Sequence, residues 1–175
     1  MKKLPHLLCL LSLMIVGCSS KKEISRKEAF RIIRQGWNYP RIIEYDLYCG
    51  DPLFAKKVID AGLETQGLVT VQRTQKLGEA GQPLIRFTDK AKPYLLPTPP
   101  GDQSSNIQKV KLADEELVEV TGVNTGSSGK EAVVEYTTAF KNITPFAGLS
   151  SKDFKQQSPR KANVVLYDDG WRLAK

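Results

Sequence analysis

Two periodicities alternate along the chain, one near 3.6 residues and one of two, and together they predict an α+β fold. Ser25-Arg26-Lys27-Glu28 has the form of a capping box, in which a serine side chain accepts the amide three residues on. The helix it opens is predicted over 26–35, stops at Gly36, and turns Ala29, Phe30, Ile32 and Ile33 to a core. Ile43, Tyr45, Leu47 and Cys49 then alternate with Glu44, Asp46 and Tyr48, the pattern of a half-buried strand. Asp51-Pro52 supplies an N-cap and a proline at the first helical position for a second helix that ends at Gly62. Beyond it, 68–74 and 84–88 are predicted as the arms of a hairpin around "QKLGEAGQP".

The rest of the chain reads as β. Short strands are predicted over 107–112 and 117–123, and a longer one over 131–143 with Ala132, Val134, Tyr136, Thr138 and Phe140 on one face. Asp168-Asp169-Gly170 between alternating apolar residues is a strong hairpin signal. Between the two halves, Pro97, Pro99, Pro100 and Gly101 interrupt any regular pattern. The expected organisation is therefore a helix-plus-hairpin lobe over 25–96, a linker over 97–106 and a small antiparallel β lobe over 107–175.

The first residues carry an address. Lys2 and Lys3 precede an apolar run over 7–16, too short for the roughly 20 residues of a membrane-spanning helix and suited to a secretory signal over 1–17. Ile15-Val16-Gly17-Cys18 resembles the lipobox of bacterial lipoproteins. That resemblance implies a diacylglyceryl group on the Cys18 thiol, cleavage just before it, acylation of the new amino terminus, and a tether over 18–24. In that family Ser19, rather than Asp, after the cysteine implies transfer to the outer membrane, facing the periplasm. Several acyl chains on one residue exceed what stable anchoring requires.

"AGLETQGLVTV" and "GQPLIRFTDKAKPYL", within 52–95, resemble the last helix, wing and closing turn of winged-helix proteins. A DNA-reading winged helix places a helix-turn-helix before its wing, whereas only one helix fits between Cys49 and Gly67 here. Lys56 and Lys57 are also balanced by Asp51, Asp60 and Glu64, unlike a helix laid along phosphates. The resemblance speaks for a winged-helix-like lobe, and nucleic acid is not the expected partner. The closing "DDGWRL" also resembles the last strands of small cystatin-like and NTF2-like envelope domains.

Removing the signal narrows the chemistry. The single histidine, His6, leaves with it, so a Ser/His/Asp triad, a Cys/His nucleophile and His-bearing zinc sites are excluded. Cys9 leaves too and Cys18 carries lipid, so Cys49 has no intramolecular disulfide partner. "NTGSSGKE" imitates a phosphate-binding loop, but Asn124 stands where its first glycine belongs and Glu131 where Ser or Thr would hold magnesium. Asn142-Ile143-Thr144, formally a glycosylation sequon, is read as chance. Asp114, Glu115, Glu116, Asp168 and Asp169 are read as turn and surface acids rather than a catalytic pair. No catalytic residue, cofactor, metal or small-molecule substrate is expected.

What remains is binding. The candidate surface is Trp37 and Tyr39, after the first helix stop, with Arg73, Lys76 and Arg86 on the hairpin. The expected role is non-catalytic binding or assembly, with the membrane engaged through the anchor and another envelope protein as partner. Binding of nucleic acid or another polyanion through the basic wing stands second, and a carboxylate-based enzyme third.

Overall fold

The computed structural model describes residues 23–174, so the signal, Cys18 and most of the tether lie outside the described residues. Helix α1 (Arg26–Gly36) starts where the capping pattern places it, with Ser25 Oγ accepting the Glu28 amide at 3.1 Å, and buries Ala29, Ile32 and Ile33. Strand β1 (Arg41–Tyr48) turns Ile43, Tyr45 and Leu47 inward. Helix α2 (Pro52–Asp60) is capped by Asp51 Oδ1, which accepts the Leu53 amide at 2.7 Å. The hairpin arms shorten to β2 (Val69–Val71) and β3 (Ile85–Phe87). Helix α3 (Pro100–Ser104) follows, then β4 (Ile107–Thr125), β5 (Glu131–Lys141), β6 (Ser158–Tyr167) and β7 (Gly170–Leu173). The fold is α+β, with an antiparallel five-stranded sheet ordered β1-β4-β5-β6-β7 and the separate β2-β3 pair.

Three expectations change. The region 107–123 lies within one strand of 19 residues, Ile107–Thr125, rather than forming two short ones. The acidic run that suggested a break is neutralised within the sheet: Asp114 pairs with Lys111 and Glu115 with Arg41, so the backbone continues through it. The predicted linker is also structured. Pro100 sits in the first turn of α3, where its missing N–H costs no hydrogen bond. Before it, the Leu96 amide bonds Lys109 O and buried Thr98 accepts the Lys109 amide at 2.9 Å.

Nor does 97–106 part the strands into two lobes, because β1 pairs along its whole length with β4. Residues 49–106, with α2, the hairpin and α3, form an insertion between two neighbouring strands of one sheet. Over this sheet lie two apolar cores. The first joins Leu47 and Cys49 to Ala55, Val58, Leu63, Val69 and Ile85 of the insertion, Val110 and Leu112 of β4, and Phe146 beyond β5. The second joins Ile24, Ala29, Ile32 and Ile33 to Val120, Val134, Tyr136, Ala162, Val164 and Trp171. At its end α1 lies so close to β7 that a Cβ on Gly36 would fall 2.9 Å from Leu173 Cδ2.

One face of β4 reaches both cores because its register slips three times. Leu112, Val118 and Thr121 are each an extra residue against the partner strands. A strand of even alternation would turn its apolar set outward after each insertion; the bulges restore parity and bend the strand. Val110, Glu115, Leu117, Val120 and Val123 consequently share the face of Val134, Tyr136, Thr138 and Phe140.

Phe146 is fully buried, and its ring meets Phe87 of the insertion at 6.2 Å and Tyr94 at 6.0 Å. Phe146→Ala is expected to lower stability by about 3–5 kcal/mol in urea unfolding, since it removes a fully buried ring from the first core. A loss under about 1 kcal/mol would contradict this packing.

Candidate functional site

Across the inner face of the sheet, between the two cores, runs a polar row contributed by four strands. Arg41 of β1 lies directly opposite Glu115 of β4. Its Nε and Nη2 both donate to Glu115 Oε2, at 2.7 and 2.6 Å. Thr138 of β5 donates its hydroxyl to Oε1 at 3.0 Å, and Arg160 Nη2 of β6 reaches the same oxygen at 3.4 Å. Glu115 is completely buried, while the two arginine side chains remain 42% and 41% exposed. Arg41 also lies over the Tyr39 ring, 5.2 Å from its centre.

The electrostatics follow from this geometry. Burial pushes the Glu115 carboxyl up, but the Arg41 and Thr138 hydrogen bonds and the two guanidinium charges outweigh it and hold the group below the ordinary glutamate value of 4.5. Burial, the Glu115 charge and Tyr136 push the Tyr39 phenol far up. At neutral pH the row is one carboxylate and two guanidiniums. Glu115 has no proton to give and its oxygens are occupied, so it is a clamp across strands rather than a general acid or base.

Asp114, Asp169 and the thiol are also tied into the structure. Lys111 and Asn142, at 2.7 and 2.8 Å, hold Asp114 below the ordinary aspartate value. Asp168 and Asp169 are exposed in the β6–β7 turn, where Asp169 pairs with Arg172. Burial pushes the Cys49 thiol up to about 11, which leaves it a small apolar side chain at neutral pH. Among the described residues no group of three or more His, Cys, Asp or Glu side chains is arranged to hold a metal ion.

The sequence-chosen surface divides into separate parts. Cys18 lies outside the described residues. Trp37 is 43% exposed just beyond α1. Tyr39, however, is mostly buried in the second core, where its ring supports Arg41. Arg73 is paired with Glu64 at 2.6 Å across the base of the hairpin. Lys76 is exposed on the hairpin loop, and Arg86 of β3 lines a shallow groove of about 400 Å³ with Ile85, Phe87, Asn106 and Gln108. The hairpin set belongs to the insertion over the first core, and Trp37 lies beside the second.

Reading the sequence alone missed the row itself. The available signal was parity: Arg41 stands in step with Ile43, Tyr45 and Leu47, and Arg160 in step with Ala162 and Val164. Two arginines at inward positions call for a buried acid. No family model, curated protein or solved structure matches the chain.

Arg41→Leu, which leaves Glu115 buried with Thr138 and a long contact to Arg160, is expected to cost about 2–4 kcal/mol in chemical unfolding. The double variant Arg41→Leu/Glu115→Leu should recover most of that loss. Because Glu115 is depressed in the folded state, its contribution is present above pH 4.5 and lost as pH falls through the folded value. Glu115→Gln should therefore flatten the acid limb of the stability curve. Equal costs for the single and double variants, with an unchanged acid limb, would show that the row contributes nothing.

Proposed function

We propose that this chain is a lipid-anchored cell-envelope protein with a non-catalytic binding or assembly role, held at the outer membrane and facing the periplasm. The observation that carries the reading is the placement of Cys18. A positive start, a short apolar run and a lipobox-like tetrapeptide end on it, and Ile24, the first core side chain among the described residues, follows six positions later. A body joined so closely to acyl chains stays at the bilayer, which raises its effective concentration toward partners at the same surface.

The chemistry of the body supports binding over catalysis. It has no imidazole, its inner carboxylate is occupied by arginine and threonine, and its thiol is buried. The exposed groups suited to a protein partner are Trp37 beside α1, and Lys76 and Arg86 on the insertion. The polyanion alternative is weakened by the pairing of Arg73 with Glu64 and of Lys92 with Asp89, which removes two of the wing's cations.

The test is complementation of a deletion strain. A variant with Asp114, Glu116, Asp168 and Asp169 changed to amides should restore function, and Cys18→Ala should lose both acyl labelling and function. Glu115 is left in place because removing it also perturbs folding. An amide variant that is stable and correctly located yet inactive, beside an active Cys18→Ala protein, would favour a carboxylate enzyme instead.

A further inference from the structure

The outer face of α1 carries charge that the rest of the helix does not balance. Ala29, Ile32 and Ile33 are buried, and Lys27, Arg31 and Arg34, at i, i+4 and i+7, run along the opposite side in solvent. Arg26 adds a fourth cation, against Glu28 as the helix's single acid. Among the described residues none of these four cations forms an ion pair, and the Arg31 guanidinium bonds only the Gln35 amide oxygen, at 3.1 Å.

The outward face of the sheet is treated differently. There Lys109 is held by Glu44 and Asp46, Lys111 by Asp114, and Lys161 by Glu135. Cations at i, i+4 and i+7 repel one another, and only Arg34, in the last turn, gains from the helix dipole. The stripe's counter-charge is therefore to be sought outside the chain.

We infer that the Lys27-Arg31-Arg34 face of α1 lies against anionic phospholipid headgroups of the bilayer that holds the anchor. The inference rests on the lipid-anchor reading for bringing the helix to a membrane. From Cys18 to Ser25 the chain spans at most about 25 Å even when extended, and Lys21 and Lys22 fall within that span. A tether of that length lets the stripe reach the headgroups, where basic residues are drawn to an anionic surface within a Debye length of it. An acyl anchor fixes only a point; a row of cations along an eleven-residue helix also fixes an orientation.

The test uses the full chain, purified from membranes and reconstituted in nanodiscs of phosphatidylcholine alone or mixed with phosphatidylglycerol. A Gln35→Cys substitution carries an environment-sensitive fluorophore beside the stripe, since buried Cys49 does not compete for label. The expected result is a blue-shifted emission in phosphatidylglycerol discs that disappears in phosphatidylcholine, in high salt, and in the Lys27→Gln/Arg31→Gln/Arg34→Gln variant. Emission that ignores lipid composition, or a phosphatidylglycerol response that survives loss of the three cations, overturns the inference. So does a shift that needs an added acidic protein rather than the lipid, which would assign the stripe to a protein partner. The mass of Cys18 in the same preparation reports the anchor separately. If Cys18 proves unmodified the anchor reading fails, and the same label on a Cys18→Ser chain added to preformed vesicles decides the lipid contact.

Discussion

A 19-residue strand that must keep one face buried while the sheet curls is the constraint on which this molecule depends. β4 pairs with β1 along one edge and β5 along the other, and it lends side chains to both cores. Regular pleating over that length would twist the inner face away from its coverings. The extra residues at Leu112, Val118 and Thr121 bend the strand and reset its parity, so α1 covers one core while the insertion covers the other. Around Glu115 the pairing of β4 with β5 is uninterrupted, which sets it beside Thr138 on the inner face.

Between the cores the inner face is charged rather than apolar. Covering that stretch with hydrophobic side chains would cost less desolvation, since buried ion pairs are weak sources of net stability. Placing Arg41 on the edge strand and Arg160 two strands beyond Glu115 gives a directional contact that only one register of β1 against β4 satisfies. The partial exposure of both guanidiniums lowers the penalty, because their outer nitrogens keep water. A register-setting role explains why a buried acid sits in a chain otherwise free of inward acids among its described residues.

Local signals were legible where one residue determines the geometry. The Ser25 and Asp51 caps, the Gly62 stop, the alternation over 131–140 and the Asp-Gly turn all read correctly, because each rests on contacts within a few positions, while the first helix takes in Gly36 and is capped by Trp37. What sequence reading missed depends on partners far along the chain. The acidic run over 114–116 looked like a turn because Lys111 and Arg41 neutralise Asp114 and Glu115, and Asn142 bonds Asp114, only in the fold. Pro99 and Pro100 marked a break, yet proline at a helix start is compatible with α3. Tyr39, chosen as a binding residue, is drawn into the second core and lies beneath Arg41. That 49–106 interrupts a sheet rather than preceding it follows from the pairing of β1 with β4, which no local pattern announces.

The body's inner carboxylate and thiol are committed to its own structure, and the proposed function adds an anchor at Cys18 to hold that body at a surface. Its most direct test is the intact mass of the protein extracted from membranes by detergent. The account predicts a chain that begins at Cys18 and is heavier than its amino acids by a diacylglyceryl group and an added acyl chain. A chain that retains Met1, or begins at an unmodified Cys18, would contradict it.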